Sequence, residues 1–204
     1  MNIEIKKKID QAIETYNKYA KIYAEYLDTK LIQFQLHEFM SLLPKGGKIL
    51  DIGCGAGRDL AYFSEDGFEA IGIDLAKELL KKAKAKKLKV KNMNLLELNF
   101  KENTFDGIWC MATLSDIPRS ELSNAIKNFN KVLKKEGIIY LAVKEGEGEK
   151  VIKKERYGNE PRFYTFYKKG ELEQELTKNN FTILKSTVSD DQRYKWVEIF
   201  AQKR

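Results

Sequence analysis

Two acidic residues and three closely spaced glycines carry the sequence's most specific chemistry. The segment Ile49–Gly57 reads ILDIGCGAG, placing Gly53, Gly55 and Gly57 behind Asp51, and a second acid, Asp74, closes the later segment FEAIGID. Glycines at a strand-to-helix turn let the backbone approach a ligand closely because no Cβ intervenes. The helix N-terminus just beyond favours a negatively charged ligand group. In open α/β sheets this place, the carboxyl end of a strand, is where ligands bind. A carboxylate at Asp74 can accept hydrogen bonds from two vicinal hydroxyls at once. A dinucleotide fingerprint, GxGxxG/A, needs a small residue where the chain has Arg58, and no Lys-Ser/Thr follows Gly57 to make a phosphate loop. The pattern is DxGxGxG, which points to a nucleotide-like ligand of another kind.

Other reactive groups are sparse. Cys54 and Cys110 are the two cysteines and His37 is the one histidine, with no CxxC or Cys/His spacing, so neither a metal site nor His-based relay chemistry is expected. Two carboxylates at strand ends, Asp116 and Glu145, are candidate general bases, each with a plain alternative as a solvated or structural acid. Arg162 and Tyr164 follow a stretch rich in Lys, Glu and Gly and are candidates to touch a substrate; Arg162 could hold an anionic group. Tyr16 and Tyr23 share one helix face and either reach the ligand site or simply pack in the core.

The elements that must position these residues follow from periodicity. Apolar residues at Ile5, Ile9, Ala12, Ile13, Tyr16, Ala20, Tyr23 and Leu27 predict one long helix. A second helix over Lys30–Leu43 ends at Pro44-Lys45-Gly46-Gly47. Strands and helices then alternate: strands at 48–52, 68–74, 89–93, 105–111 and 138–143, helices at 58–65, 77–87 and 120–133. The tail adds a helix over 169–179 and strands over 181–188 and 195–201. This order predicts βαβ units. The short turn Ser189–Arg193 suits only antiparallel neighbours. The expectation is a Rossmann-like α/β fold, a seven-stranded and mostly parallel sheet with one antiparallel strand and helices on both faces. It forms a single domain of 204 residues: an N-terminal helical cap over 1–43 and a core over 46–204, with Lys150–Tyr167 folding over the site as a lid.

These residues resemble the class I S-adenosylmethionine (SAM)-dependent methyltransferases. Their first motif looks like Val/Ile-Leu-Asp-Ile-Gly-Cys-Gly-x-Gly, and ILDIGCGAG matches it at every position. In that family an acid ending the second strand holds the ribose hydroxyls of SAM, a role that falls to Asp74 by resemblance. NMNLLEL puts Asn94 where the family has an acid near the adenine amine, a departure that keeps a hydrogen-bond acceptor. The segment TFDGIWCMATLSDIP also looks like the family, with Ala112–Pro118 passing under the methionine part and Asp116 where members often carry His. The resemblance implies a SAM site built from Asp51, Gly53, Gly55, Gly57, Arg58, Asp74, Leu75, Asn94, Leu95, Leu96 and Met111, with Tyr16 and Tyr23 on a covering helix. The product would be S-adenosylhomocysteine (SAH). Cys110 lies in strand pattern and lacks the preceding Pro of cysteine-nucleophile methyltransferases.

The acceptor is the least determined part. The chain lacks an Asn/Asp-Pro-Pro-Tyr after the fourth strand, which argues against methylation of exocyclic base amines. A net charge of +7 and the lysines of 77–91 leave RNA, such as a tRNA, as an alternative partner to a solvated lysine surface. The leading expectation is a small-molecule acceptor. RNA is the second, and a non-catalytic SAM-binding domain the third. With 43% hydrophobic residues but no apolar run of about 20, the chain reads as a cytoplasmic protein without a membrane partner, monomeric or homodimeric.

Overall fold

A computed structural model of the chain describes residues 3–29, 32–190 and 194–204. The helix start at Lys30 and the turn residues Asp191, Gln192 and Arg193 lie outside the described residues.

Five strands follow one another as parallel neighbours or by crossover: β1 (Lys48–Ile52), β2 (Glu69–Asp74), β3 (Val90–Asn92), β4 (Phe105–Met111) and β5 (Leu133–Lys144). Two more strands, β8 (Phe181–Asp190) and β9 (Lys195–Lys203), complete a seven-stranded sheet of order β3-β2-β1-β4-β5-β9-β8. Strand β9 runs antiparallel to both its neighbours. All other pairs are parallel. This is the predicted architecture. Helices α4 (Arg58–Glu65), α5 (Lys77–Ala85) and α6 (Leu122–Val132) make the crossovers, and α7 (Lys169–Lys178) precedes β8.

Side chains alternate between two cores, as a sheet buried on both faces requires. Leu50, Ile108, Ile139 and Ile199 face α6 and α7 through Ile126, Phe129, Leu172 and Leu176. Ile49, Trp109, Tyr140 and Phe200 face the other way, against Phe39 of α3 (Gln33–Ser41) and Leu60 and Phe63 of α4. Trp109 stacks on Tyr140 with ring centroids 4.0 Å apart, and its indole N–H donates to Asp59 Oδ2 at 2.9 Å.

The structure corrects the sequence expectation in one place. The first helix is two, α1 (Ile3–Lys18) and α2 (Ala20–Asp28), parted at Tyr19 (φ −107°, ψ 23°). Backbone bonds still cross the kink, from Tyr19 N–H to Thr15 O (3.0 Å) and Tyr23 N–H to Tyr19 O (2.9 Å), so the apolar stripe runs on unbroken. Residues 150–167, expected to fold over the site as a lid, form an antiparallel hairpin of β6 (Glu149–Lys153) and β7 (Pro161–Thr165) with a 3₁₀ turn at Glu155–Tyr157 between them. The hairpin leans on α1: Gln11 Nε2 donates to Pro161 O at 3.0 Å and Lys8 pairs with Glu149 at 3.1 Å. Among the described residues, no helix is long and apolar enough to cross a membrane.

Candidate functional site

The glycine loop joins β1 to α4. Gly53 takes φ +74°, and a Cβ there would stand 2.0 Å from Thr113 Oγ1. That hydroxyl donates to Ile52 O at 2.8 Å, so the loop after β4 occupies the space a side chain at Gly53 would fill. Gly57 (φ +80°) is tight for another reason: its Cβ would meet Leu88 at 2.4 Å, against the β2–α5 layer. Gly57 therefore serves helix–sheet packing and lines neither cavity of the site.

Two cavities meet at this loop. The smaller, of about 90 Å³, lies between α1 and the carboxyl ends of β1, β2 and β4 and is lined by Gly55, Asp74, Leu75, Leu79, Asn94 and Leu95, among others. The larger, of about 510 Å³, opens over the ends of β4, β5 and β9. Tyr16, Tyr23, Gly53, Met111 and Ala112 line both. Ala112 holds a left-handed φ of +64°, strain that a non-glycine residue adopts where the surrounding structure imposes it.

Asp74 stands at the mouth of the smaller cavity. Its Oδ2 accepts from Gly55 N–H at 2.9 Å and its Oδ1 from Ala76 N–H at 2.7 Å. Burial pushes its pKa up, and the backbone amides pull the other way. Each oxygen keeps a further lone pair. Asn94 Oδ1 accepts from Leu96 N–H at 2.9 Å, so part of the acceptor capacity expected for a ligand closes its own turn. Leu96 faces the core, and the other four expected residues of this side, Gly55, Leu75, Asn94 and Leu95, line the cavity.

Asp51 and Arg58 line the larger cavity instead. Asp51 is 3% exposed and its Oδ2 has no hydrogen-bond partner, while burial first, and the nearby Asp59 charge second, hold its pKa well above the usual carboxylate range. A buried carboxylate oxygen without a donor is costly. A cationic ligand group would satisfy it. Arg58 grips Asp59 through Nε (2.6 Å) and Nη2 (2.9 Å).

The wall between the cavities is a charged knot. Arg162 ion-pairs with Asp116 Oδ1 and donates to the Tyr16 hydroxyl, which in turn donates to Asp116 Oδ2 at 2.9 Å. The guanidinium also lies 4.0 Å from the Tyr16 ring centroid and 4.5 Å from that of Tyr164. Tyr16 and Tyr23 meet edge to face at 4.8 Å, and burial raises the pKa of both hydroxyls. Both Asp116 oxygens are thus engaged within the chain. Glu145 lines neither cavity; its N–H bonds to Lys195 O at 2.8 Å. Strand alternation gives the cavity to its neighbour Lys144. Thr113 and Ser115 line the cavities within the segment expected there, and Lys144, Tyr157 and Trp196 are cavity residues that motif reading missed, though position at a strand's carboxyl end singles out Lys144.

The methyltransferase-domain family model matches residues 23–186, which is most of the chain. The chain belongs to the methyltransferase-domain family. The orphaned acid at Asp51, the acid at Asp74 and the glycine loop would fit SAM as a donor. YqeM of Bacillus subtilis, itself named a methyltransferase by inference, is 30% identical over 135 residues, 63% of this chain and 55% of that protein. The chain thus spans about half the length of that relative. An uncharacterized protein of Methanocaldococcus jannaschii is 27% identical over 84% of this chain and 76% of its own length. Two solved structures share the fold. A SAM-dependent methyltransferase of Methanosarcina mazei has a TM-score of 0.75 at 24% identity, covering 85% of this chain and 98% of its own. The 1,6-didemethyltoxoflavin-N1-methyltransferase of Burkholderia thailandensis, with its substrate and SAH bound, has a TM-score of 0.74 at 20% identity, covering 94% and 88%.

Proposed function

We propose that the protein methylates a small-molecule acceptor, holding SAM in the smaller cavity and across the glycine loop and the acceptor in the larger. The observation that carries this reading is the shared wall: Gly53, Met111 and Ala112 line both cavities, so a donor and an acceptor would meet there. The toxoflavin enzyme, a structural neighbour with a small heterocyclic substrate, supports the same class of acceptor.

Asp74 would hold the ribose hydroxyls, Asp51 the methionine ammonium, and Leu75, Leu95 and Asn94 the adenine ring. The bound donor supplies an electrophilic methyl on a sulfonium leaving group. What the chain adds is alignment and dryness, which dominate an in-line displacement. Tyr16 and Tyr23 form the roof between the cavities and exclude water. Asp116, tied to Arg162 and Tyr16, fixes that roof rather than taking a proton, and no base is assigned to Glu145. The acceptor therefore reacts in its free nucleophilic form.

Labelled SAM added to cell extract with the purified protein tests the reading. Label should enter a small-molecule fraction that survives RNase. Label lost on RNase treatment would make the acceptor an RNA, and SAH binding without any transfer would favour a non-catalytic domain.

A further inference from the structure

Lys144 ends β5 on the wall of the larger cavity and is 8% exposed. Its ammonium lies 3.8 Å from the Tyr194 ring centroid and 4.9 Å from that of Tyr164. Among the described residues it forms no ion pair. Asp116, the carboxylate whose field reaches it, is already held by Arg162 and Tyr16. Burial lowers the Lys144 pKa, while a side-chain hydrogen bond with Lys154 and the Asp116 charge pull the other way; neither supplies Lys144 with a carboxylate of its own.

A second donor in the same cavity is also unanswered. Arg162 is 3% exposed and its Nε has no hydrogen-bond partner, although its Nη2 is committed to Asp116 and Tyr16. Both cations flank one ring: Lys144 Nζ and Arg162 Cζ stand 4.9 Å and 4.5 Å from the Tyr164 centroid. Lys154 adds a third positive charge, 4.5 Å from Tyr164 and 5.3 Å from Tyr194. Folding ordinarily avoids burying an ammonium without a partner. For Lys144 and the Arg162 Nε–H an anionic partner can arrive with the ligand, because both residues line a cavity large enough to admit one.

We propose that the acceptor is a flat aromatic molecule carrying a carboxylate, which Lys144 and the Arg162 Nε–H receive while its ring lies against Tyr164 and Tyr194. This rests on reading the larger cavity as the acceptor chamber. A carboxylate also occurs in SAM, so the donor is the competing source of the anion and the test separates the two.

Calorimetry of the full chain saturated with SAH would compare benzoate with benzamide, 4-hydroxybenzoate with its amide, and quinoline-2-carboxylate with its amide. In the tightest pair the acid should bind about tenfold more strongly than the amide, as a charge-assisted bond in a dry site provides. Lys144→Met should bring acid and amide together and leave SAH affinity unchanged. Lys144→Gln, which keeps a polar end, should do the same and guards against a folding artefact. The proposal is overturned if no acid outbinds its amide, or if the preference survives both substitutions. It is also overturned if the substitutions weaken SAH itself, which would assign the cation to the donor's carboxylate. Failure of the wild-type chain to bind SAH would instead sink the methyltransferase reading underneath.

Discussion

The two cavities are built in opposite ways. The smaller cavity, the proposed donor side, draws about half its lining from one stretch of chain, residues 51–96, where β1, β2 and β3 each end in a loop that reaches it. On the acceptor side, Tyr16, Arg58, Ser115, Lys144, Arg162 and Trp196 converge from separate elements. In the smaller cavity Asp74 is answered locally, by two backbone amides. Across the shared wall, the acceptor side balances charge over long range: Arg162 closes on Asp116 and Tyr16 from distant parts of the chain, and Lys144 is left over. A ligand common to a whole family can be served by a local motif. A ligand particular to one protein is served by whatever the tertiary fold brings together.

The comparison can be broken first at the wall. Arg162→Leu leaves the half-buried Asp116 without its cation, and should cost about 3 kcal/mol of unfolding free energy in denaturant melts. The double variant Asp116→Leu/Arg162→Leu should recover most of that loss, because the unpaired charge goes with it. Equal damage from both would show that packing, not the ion pair, dominates there.

On the donor side, Asp74→Ala should abolish stabilisation by SAH. A ligand held at a hundred times its dissociation constant contributes about 2.7 kcal/mol, which a thermal melt reads directly. An undiminished shift in that variant would remove Asp74 from the donor site.

Tyr16→Phe removes one hydroxyl that bonds both Asp116 and Arg162. We expect about 1 to 2 kcal/mol of lost stability, and a larger fall in turnover than in SAH affinity, since the roof it fixes faces the meeting point of the cavities. A fall confined to SAH affinity would place Tyr16 with the donor alone.

The smallest effect concerns Lys144. Its folded-state pKa lies below the unfolded value, so the unfolded chain binds more protons as the pH approaches 10.5 from below. Wild-type stability should therefore rise relative to Lys144→Met as pH climbs through the folded pKa towards that value. At neutral pH the Met variant should be at least as stable as wild type, because it removes a buried charge that has no counter-ion. A less stable Met variant would mean that Lys144 has a structural partner.

What the sequence made legible follows the same division. The strands at 48–52 and 105–111 and the helix at 58–65 lie where periodicity puts them. The antiparallel β9 follows from the short turn before it. Asp74 and Gly55 reach the cavity because a strand end and the loop beside it are fixed by short-range rules. Lys144 and Glu145 differ only in which way one strand residue points, and a single-residue change of phase exchanges the two. The β6–β7 hairpin was hidden because β6 is mostly Lys and Glu and β7, PRFYT, shows no alternation, and its buried face is defined by contact with α1 and with the segment after β4. The kink at Tyr19 left no trace, since the apolar stripe continues through it. Gly57 matched the motif yet packs against Leu88, because a motif records residue type and not the neighbour that demands it.

Calorimetric titration of SAH into wild type, Asp74→Ala and Lys144→Met, run side by side, tests most directly the separation of donor and acceptor sides. Wild type should bind tightly, Lys144→Met with the same affinity, and a folded Asp74→Ala should give no measurable heat. Retained binding in Asp74→Ala, or lost binding in Lys144→Met, would contradict it.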